Sequence, residues 1–132
     1  MPKNPSTPSQ RGKRARQKGA AHEREVAEKL RAVYPDAKRG LGQARAGGEV
    51  PDVDGTPFWC ELKHRKALNV HGAFRQALLA RATRHGLGLP HAQPVLVVTR
   101  LHGESRDLAT VDLDLFLKLM GELEFLRDIT RG

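Results

Sequence analysis

Hydrophobic and polar positions along the chain alternate between the periods of helix and of strand, with glycine-, proline- and aspartate-rich turns between them. Val26, Leu30 and Val33 recur at i, i+4 and i+7, which predicts a helix from about Gly19 to Tyr34, stopped by Pro35-Asp36. Ala37 to Arg39 then suits a short strand. Residues Pro51 to Lys63 read as strand, tight turn, strand, because Asp54-Gly55 tolerates the positive φ of a primed turn and Phe58-Trp59-Cys60-Glu61-Leu62 alternates behind it. Asn69 caps a second helix whose apolar positions are Val70, Phe74, Ala77 and Leu78, with Gly86 just past its end. Pro94 to Thr99 is continuously apolar, the pattern of a strand buried on both faces, and Leu108 to Val111 is a weaker strand. Asp112 caps a third helix in which Leu113, Leu115, Phe116, Leu117, Leu119 and Met120 are apolar nearly all round. Such a helix needs cover on more than one side, core packing being the first expectation and a subunit contact the second. Leu123 to Gly132 reads as either a short helix or a tail. This order predicts an α/β domain with a small central mixed β-sheet flanked by helices, and 132 residues suit one such core.

The hairpin carries the candidate chemistry. Side chains alternate along a strand, so Trp59, Glu61 and Lys63 share one face while Phe58, Cys60 and Leu62 share the other. With a turn of two or four residues, Asp52 lies opposite an odd-numbered residue and joins the face of Glu61 and Lys63. Packing gives two carboxylates and an ammonium no reason to meet on a short apolar hairpin. Hard divalent cations such as Mg²⁺ do give one, since they take one or two carboxylates together with waters and substrate phosphates. Lys63 can orient or deprotonate an attacking water, or neutralise charge on phosphate. The competing account is three ordinary surface charges on an edge hairpin.

Charge narrows the partner. The net charge is +8, which favours a polyanion such as nucleic acid. Residues 1 to 100 hold nineteen basic side chains against eight acidic ones, and residues 101 to 132 hold four against seven. Residues 1–17 are rich in Pro, Ser, Gln, Lys and Arg without an apolar period, and read as a flexible basic arm ahead of a domain at 18–132. Lys3, Arg11, Lys13, Arg14, Arg16 and Lys18 suit anchoring to phosphates more than mere solubilisation. Gly40 to Gly48 is a pliable loop whose backbone can approach a phosphate, with Gln43 and Arg45 as side-chain contacts. It is neither a Walker loop nor a dinucleotide fingerprint. Arg65 and Lys66 continue the basic run past the hairpin, and Arg24 is either a surface residue or another phosphate contact. Glu23 lies on the apolar stripe of the first helix. Either a charge or metal satisfies it there, or it sits in a fraying first turn where the helix dipole favours an acid. The lone Cys60 excludes an internal disulfide and should face the core, inert. The six histidines show no metal-ligand spacing and read as surface residues. No stretch has the length or apolarity of a signal segment or membrane span, so a soluble, cytoplasmic protein is expected.

Pro51-Asp52 followed by Glu61-Leu62-Lys63, in a hairpin behind a helix bearing an acid, resembles the PD-(D/E)XK nuclease superfamily. Lys18 to Glu25 ahead of an aliphatic helix, then Arg39 before a glycine-rich loop, resembles the archaeal-type Holliday junction resolvases, also found in phages. The similarity covers roughly residues 18 to 66. It implies a single restriction-endonuclease-like domain with a Mg²⁺ site at Asp52 and Glu61, Mn²⁺ serving as a substitute. It further implies that Lys63 assists the water, that Glu23 reaches the site from its helix, and that Arg24 and Arg39 contact DNA. A homodimer making paired symmetric nicks at four-way junctions is implied as well, in a cell or, for a phage protein, in a host cytoplasm. The chain departs from the pattern in the loop, where Gln43 stands instead of a small hydroxyl residue. Two alternatives stay open: another endonuclease of the superfamily, of restriction, nicking or repair type, and a non-catalytic basic DNA-binding protein.

Overall fold

The computed structural model describes residues 7–40, 50–85 and 93–132. In chain order these form α1 (Pro8–Leu30), β1 (Lys38–Arg39), β2 (Val53–Asp54), β3 (Trp59–Arg65), α2 (Val70–His85), β4 (Val95–Leu101), β5 (Leu108–Thr110) and α3 (Leu113–Arg131). The strands make one mixed sheet in the order β1-β2-β3-β4-β5, an α/β domain as the pattern predicts. β3 and β4 are parallel, with Trp59 beside Val95 and Arg65 beside Leu101, whereas the other neighbours are antiparallel. Parallel neighbours need a crossover, and α2 is that crossover.

Alternation along β3 sets the layers. Cys60 and Leu62 pack with Val26 and Ala27 of α1, over Val53, Leu96 and Val98. Trp59 turns to the opposite face and packs with Ala73 and Ala77 of α2, over Val95 and Val97. Val95 to Thr99 are all buried, so β4 is covered on both faces as its unbroken apolar run requires.

Three expectations change. The first concerns residues 1–17, because α1 starts at Pro8 rather than near Gly19. Thr7 caps it: the Thr7 hydroxyl accepts from the Gln10 N–H at 3.2 Å, and the Gln10 side chain accepts from the Thr7 N–H at 2.9 Å. Residues 8–18 pack on no core and therefore show no apolar stripe, yet Arg, Lys, Gln and Ala are good helix formers. The second is the type of hairpin turn, not its length. Val53 pairs with Cys60, which leaves a connection of four residues from Gly55 to Phe58, one of the two lengths expected, but only Gly55 has positive φ, at 81°, and Asp54 does not share it as a primed turn would require. A Cβ on Gly55 would collide with the Asp36 carbonyl as well. The third is α3, which continues through residues 123–131 and buries none of its side chains. Its expected core packing is not realised among the described residues, because α1 and α2 already cover the two faces of the sheet. Leu113, Phe125 and Leu126 are 67%, 65% and 58% exposed. None of the helices, among the described residues, is long and apolar enough to cross a membrane.

Candidate nuclease site

β3, like β4, has a neighbour on each side and a helix on each face, so its odd-numbered polar residues are held in a confined setting. The side chains of Glu61 and Lys63 are only 13% and 15% exposed, and Lys63 Nζ lies 3.2 Å from Glu61 Oε1. Asp52 arrives from the neighbouring strand. Its backbone N–H donates to the Cys60 carbonyl at 2.8 Å, and its carboxylate accepts from the Leu62 N–H at 2.8 Å. Gly40 N–H donates to the Asp52 carbonyl at 2.8 Å, and a Cβ on Gly40 would run into the neighbouring Pro51 carbonyl. Only glycine lets β1 come so close to the residue that carries the carboxylate.

The electrostatics bring the predicted residues together. Burial first, and the Glu61 charge second, push the Asp52 carboxyl up to about 7. Glu23 adds to that rise, while the Leu62 N–H and Lys63 work against it. Asp52, Glu61, Lys63 and Glu23 thus share one field. Glu23 is not free within it, because Arg39 Nε donates to Glu23 Oε2 at 2.6 Å. Arg39, expected to contact DNA, is engaged with this carboxylate from its half-exposed position. The two accounts of Glu23 are resolved for position, since it lies well inside α1, and a charge satisfies it.

The donor set suits a hard divalent cation. Asp52 and Glu61 supply two part-buried carboxylates whose like charges oppose each other, a conflict that a cation relieves. Among the described residues no group of three or more His, Cys, Asp or Glu side chains could hold a metal ion, so the pair would depend on waters and substrate oxygens for the remaining positions. Lys63 borders a cleft of about 270 Å³ that runs to Arg65, Asn69, Gly72 and Gln76 at the start of α2. Asn69 caps that helix, its side-chain oxygen accepting from the Gly72 N–H at 2.9 Å.

The basic candidates separate into two groups. Arg14 and Lys18, with Arg11, face Arg65, Lys66 and His102 across a cleft of about 540 Å³. Lys13, Arg16 and Arg24 line another with Gln17 and Arg39. Gln43 and Arg45 lie outside the described residues.

One cluster was not foreseen. His22 is 3% exposed, contrary to the surface reading of the histidines, and its Nε2 lies 2.8 Å from Asp107 Oδ1. Its ring is 5.1 Å from that of His64, which is 4.9 Å from that of His102. Asp107 also accepts from Lys29 at 2.6 Å and from Arg100 at 2.8 Å, and Arg100 reaches Glu25 at 2.8 Å. Burial works to raise the Asp107 pKa, but hydrogen bonds from Arg100, Lys29 and His22 outweigh it and hold the carboxyl well below the usual range. His64 is pushed down by burial and by its two histidine neighbours. These residues lie on separate elements, so no sequence spacing announced them. Burial raises the Cys60 thiol to about 11, which keeps it inert as expected. Comparison with family models, curated proteins and solved structures finds no match for the chain.

Proposed function

We propose that this protein is a metal-dependent DNA endonuclease that acts in the cytoplasm, with four-way junctions as its preferred substrate and a homodimer as its working unit. The observation that carries the reading is the buried Asp52 carboxyl, raised to about 7 beside Glu61 with Lys63 against it. A paired carboxylate of this kind lowers fold stability, and a cation-dependent site is the chemistry that uses it. Asp52 and Glu61 would hold Mg²⁺, or Mn²⁺ in its place. When bound there, the ion supplies Lewis acidity toward a phosphodiester and charge neutralisation.

The chain's own residues do the rest. Lys63 is confined close to Glu61 and offers three donors, so it can hold a water or a non-bridging phosphate oxygen beside the carboxylate pair. Glu23, fixed by Arg39, adds negative charge that strengthens cation binding at Asp52. Arg14, Lys18, Arg65 and Lys66 on one side, with Lys13, Arg16, Arg24 and Arg39 on the other, supply salt-dependent affinity without reading sequence. Dimerisation rests on the apolar, uncovered α3.

The test is cleavage of end-labelled four-way junction, Y-fork and linear duplex side by side, in Mg²⁺ and in EDTA. Metal-dependent paired nicks at the junction are expected. Equal cutting of fork and duplex would keep the nuclease and remove the junction preference. Binding without any cutting would leave a DNA-binding protein.

A further inference from the structure

We infer that the N-terminal half of α1 inserts between two sugar–phosphate strands and contacts one on each of its flanks. The inference rests on the reading of DNA as substrate and goes further, by fixing how many strands the helix engages and where.

A helix turns by about 100° per residue, so Arg11, Arg14 and Lys18 fall within roughly 60° of one another. Lys13, Arg16 and Arg24 form a second group within roughly 80°, centred about 150° away. The structure bears out the division, since each flank opens on a cleft of its own. The first is closed on its far side by Arg65, Lys66 and His102, and measures about 540 Å³. The second is closed by Arg39 and measures about 510 Å³. The first cleft therefore has cations on both walls, and the second has three on the α1 wall facing an Arg39 that is paired with Glu23. A single strand of phosphates follows one wall pair or the other, and it cannot occupy both, because the helix with its side chains is about 10–12 Å across.

No acidic residue precedes Glu23 in the chain, and the capping box uses Gln10 where a glutamate is as suitable. The charged side chains of α1 ahead of His22 are thus all cationic. The helix is also stiff and aimed. Beyond the cap at Thr7, the helix is held to the domain through Val26 and Ala27 in the core and through His22 and Lys29, which both bind Asp107. A flexible arm can wrap any phosphates within reach, whereas an anchored rod with cations on opposite flanks fits a gap between two strands. The strands can belong to one duplex, whose major groove of about 12 Å admits a helix, or to two arms of a branched molecule.

The experiment measures equilibrium binding in EDTA, so that no DNA is cut, as a function of salt. The probes are single-stranded DNA, linear duplex and four-way junction. Three variants are compared with the wild type: Arg11→Gln/Arg14→Gln/Lys18→Gln for one flank, Lys13→Gln/Arg16→Gln/Arg24→Gln for the other, and Arg75→Gln/Arg84→Gln/Arg106→Gln, all exposed and outside both clefts and α3, as a charge-matched control. On the junction, each flank variant should flatten the slope of log K against log salt by about 2–3 and weaken binding roughly tenfold to a hundredfold at 0.15 M salt. The control should change neither. The two losses should add, because the flanks hold different strands. Loss on duplex from both flank variants assigns the strands to one groove; loss on duplex from one flank only, with both needed on the junction, assigns them to two arms. The inference is overturned if either flank variant binds junction like the control, or if single-stranded DNA loses as much from both as junction does. A wild type that binds all of this DNA and cuts none in Mg²⁺ would end the nuclease reading while leaving the two-strand contact standing.

Discussion

Asp52 is the residue on which the physics presses hardest. A carboxyl whose folded pKa of about 7 exceeds its unfolded value of 3.8 binds a proton more readily in the native state. Its contribution to stability is therefore fully present below about pH 4 and is lost as pH rises toward 7, at a cost on the order of 4 kcal/mol. Asp52→Asn removes that cost and keeps an oxygen for the Leu62 N–H. In EDTA the variant should exceed the wild type by about 2–4 kcal/mol at pH 8 and by progressively less toward pH 4. Urea unfolding across that range checks it, and equal stability at both ends would refute the buried-acid account. The same substitution, and Glu61→Gln, should abolish cleavage in Mg²⁺ while leaving junction affinity equal or higher, since each removes negative charge near phosphate. A filter-binding and cleavage pair on each variant reads both halves, and a wild-type cutting rate in either would move the site elsewhere.

At the scale of elements, the orientation of α1 depends on Asp107, which gathers His22, Lys29 and Arg100 from a position just ahead of β5. Replacing it with alanine takes two hydrogen bonds from an Arg100 side chain that is 12% exposed, which keeps only its pair with Glu25 among those described, and leaves His22 without that acceptor. The expected loss is about 3–5 kcal/mol in denaturant unfolding, and a loss below about 1 kcal/mol would mean that the clamp does not hold the helix. Gly19→Ala should act in the other direction. Nothing lies within 4 Å of a Cβ at that position, so removing an interior glycine should stabilise α1 by about 0.5–1 kcal/mol, seen as a higher thermal midpoint. These two residues also mark where sequence was readable. Elements that bury a face announce themselves, as Val26 and Leu30 do for α1 and Val95 to Val98 do for β4. The alternation that joined Glu61 and Lys63 on one face was equally legible. About the first three turns of α1 were not, because a helix on no surface has no period to detect, and the His22, His64 and Asp107 cluster was not, because it is assembled from three distant segments. The pairing of Arg39 with Glu23 was not legible either, because it depends on how α1 lies over β1.

At the scale of the whole molecule, α3 is an unbalanced account of apolar surface. Phe116, Met120 and Leu123 follow one another at i, i+4 and i+7 on one side of it, each more than a third exposed, and Leu126 extends the row. A row of this kind is larger than the scattered apolar residues of ordinary surfaces and calls for a partner. A second copy of the chain is the partner that sets the same row opposite itself about a two-fold axis. In sedimentation equilibrium the wild type should be a dimer at micromolar concentration, and Phe116→Glu/Leu123→Glu should be a monomer with an unchanged circular dichroism spectrum, because neither side chain supports the core. A wild type that stays monomeric at tens of micromolar would withdraw α3 as the interface, and with it the means by which two such sites could cut a junction in concert.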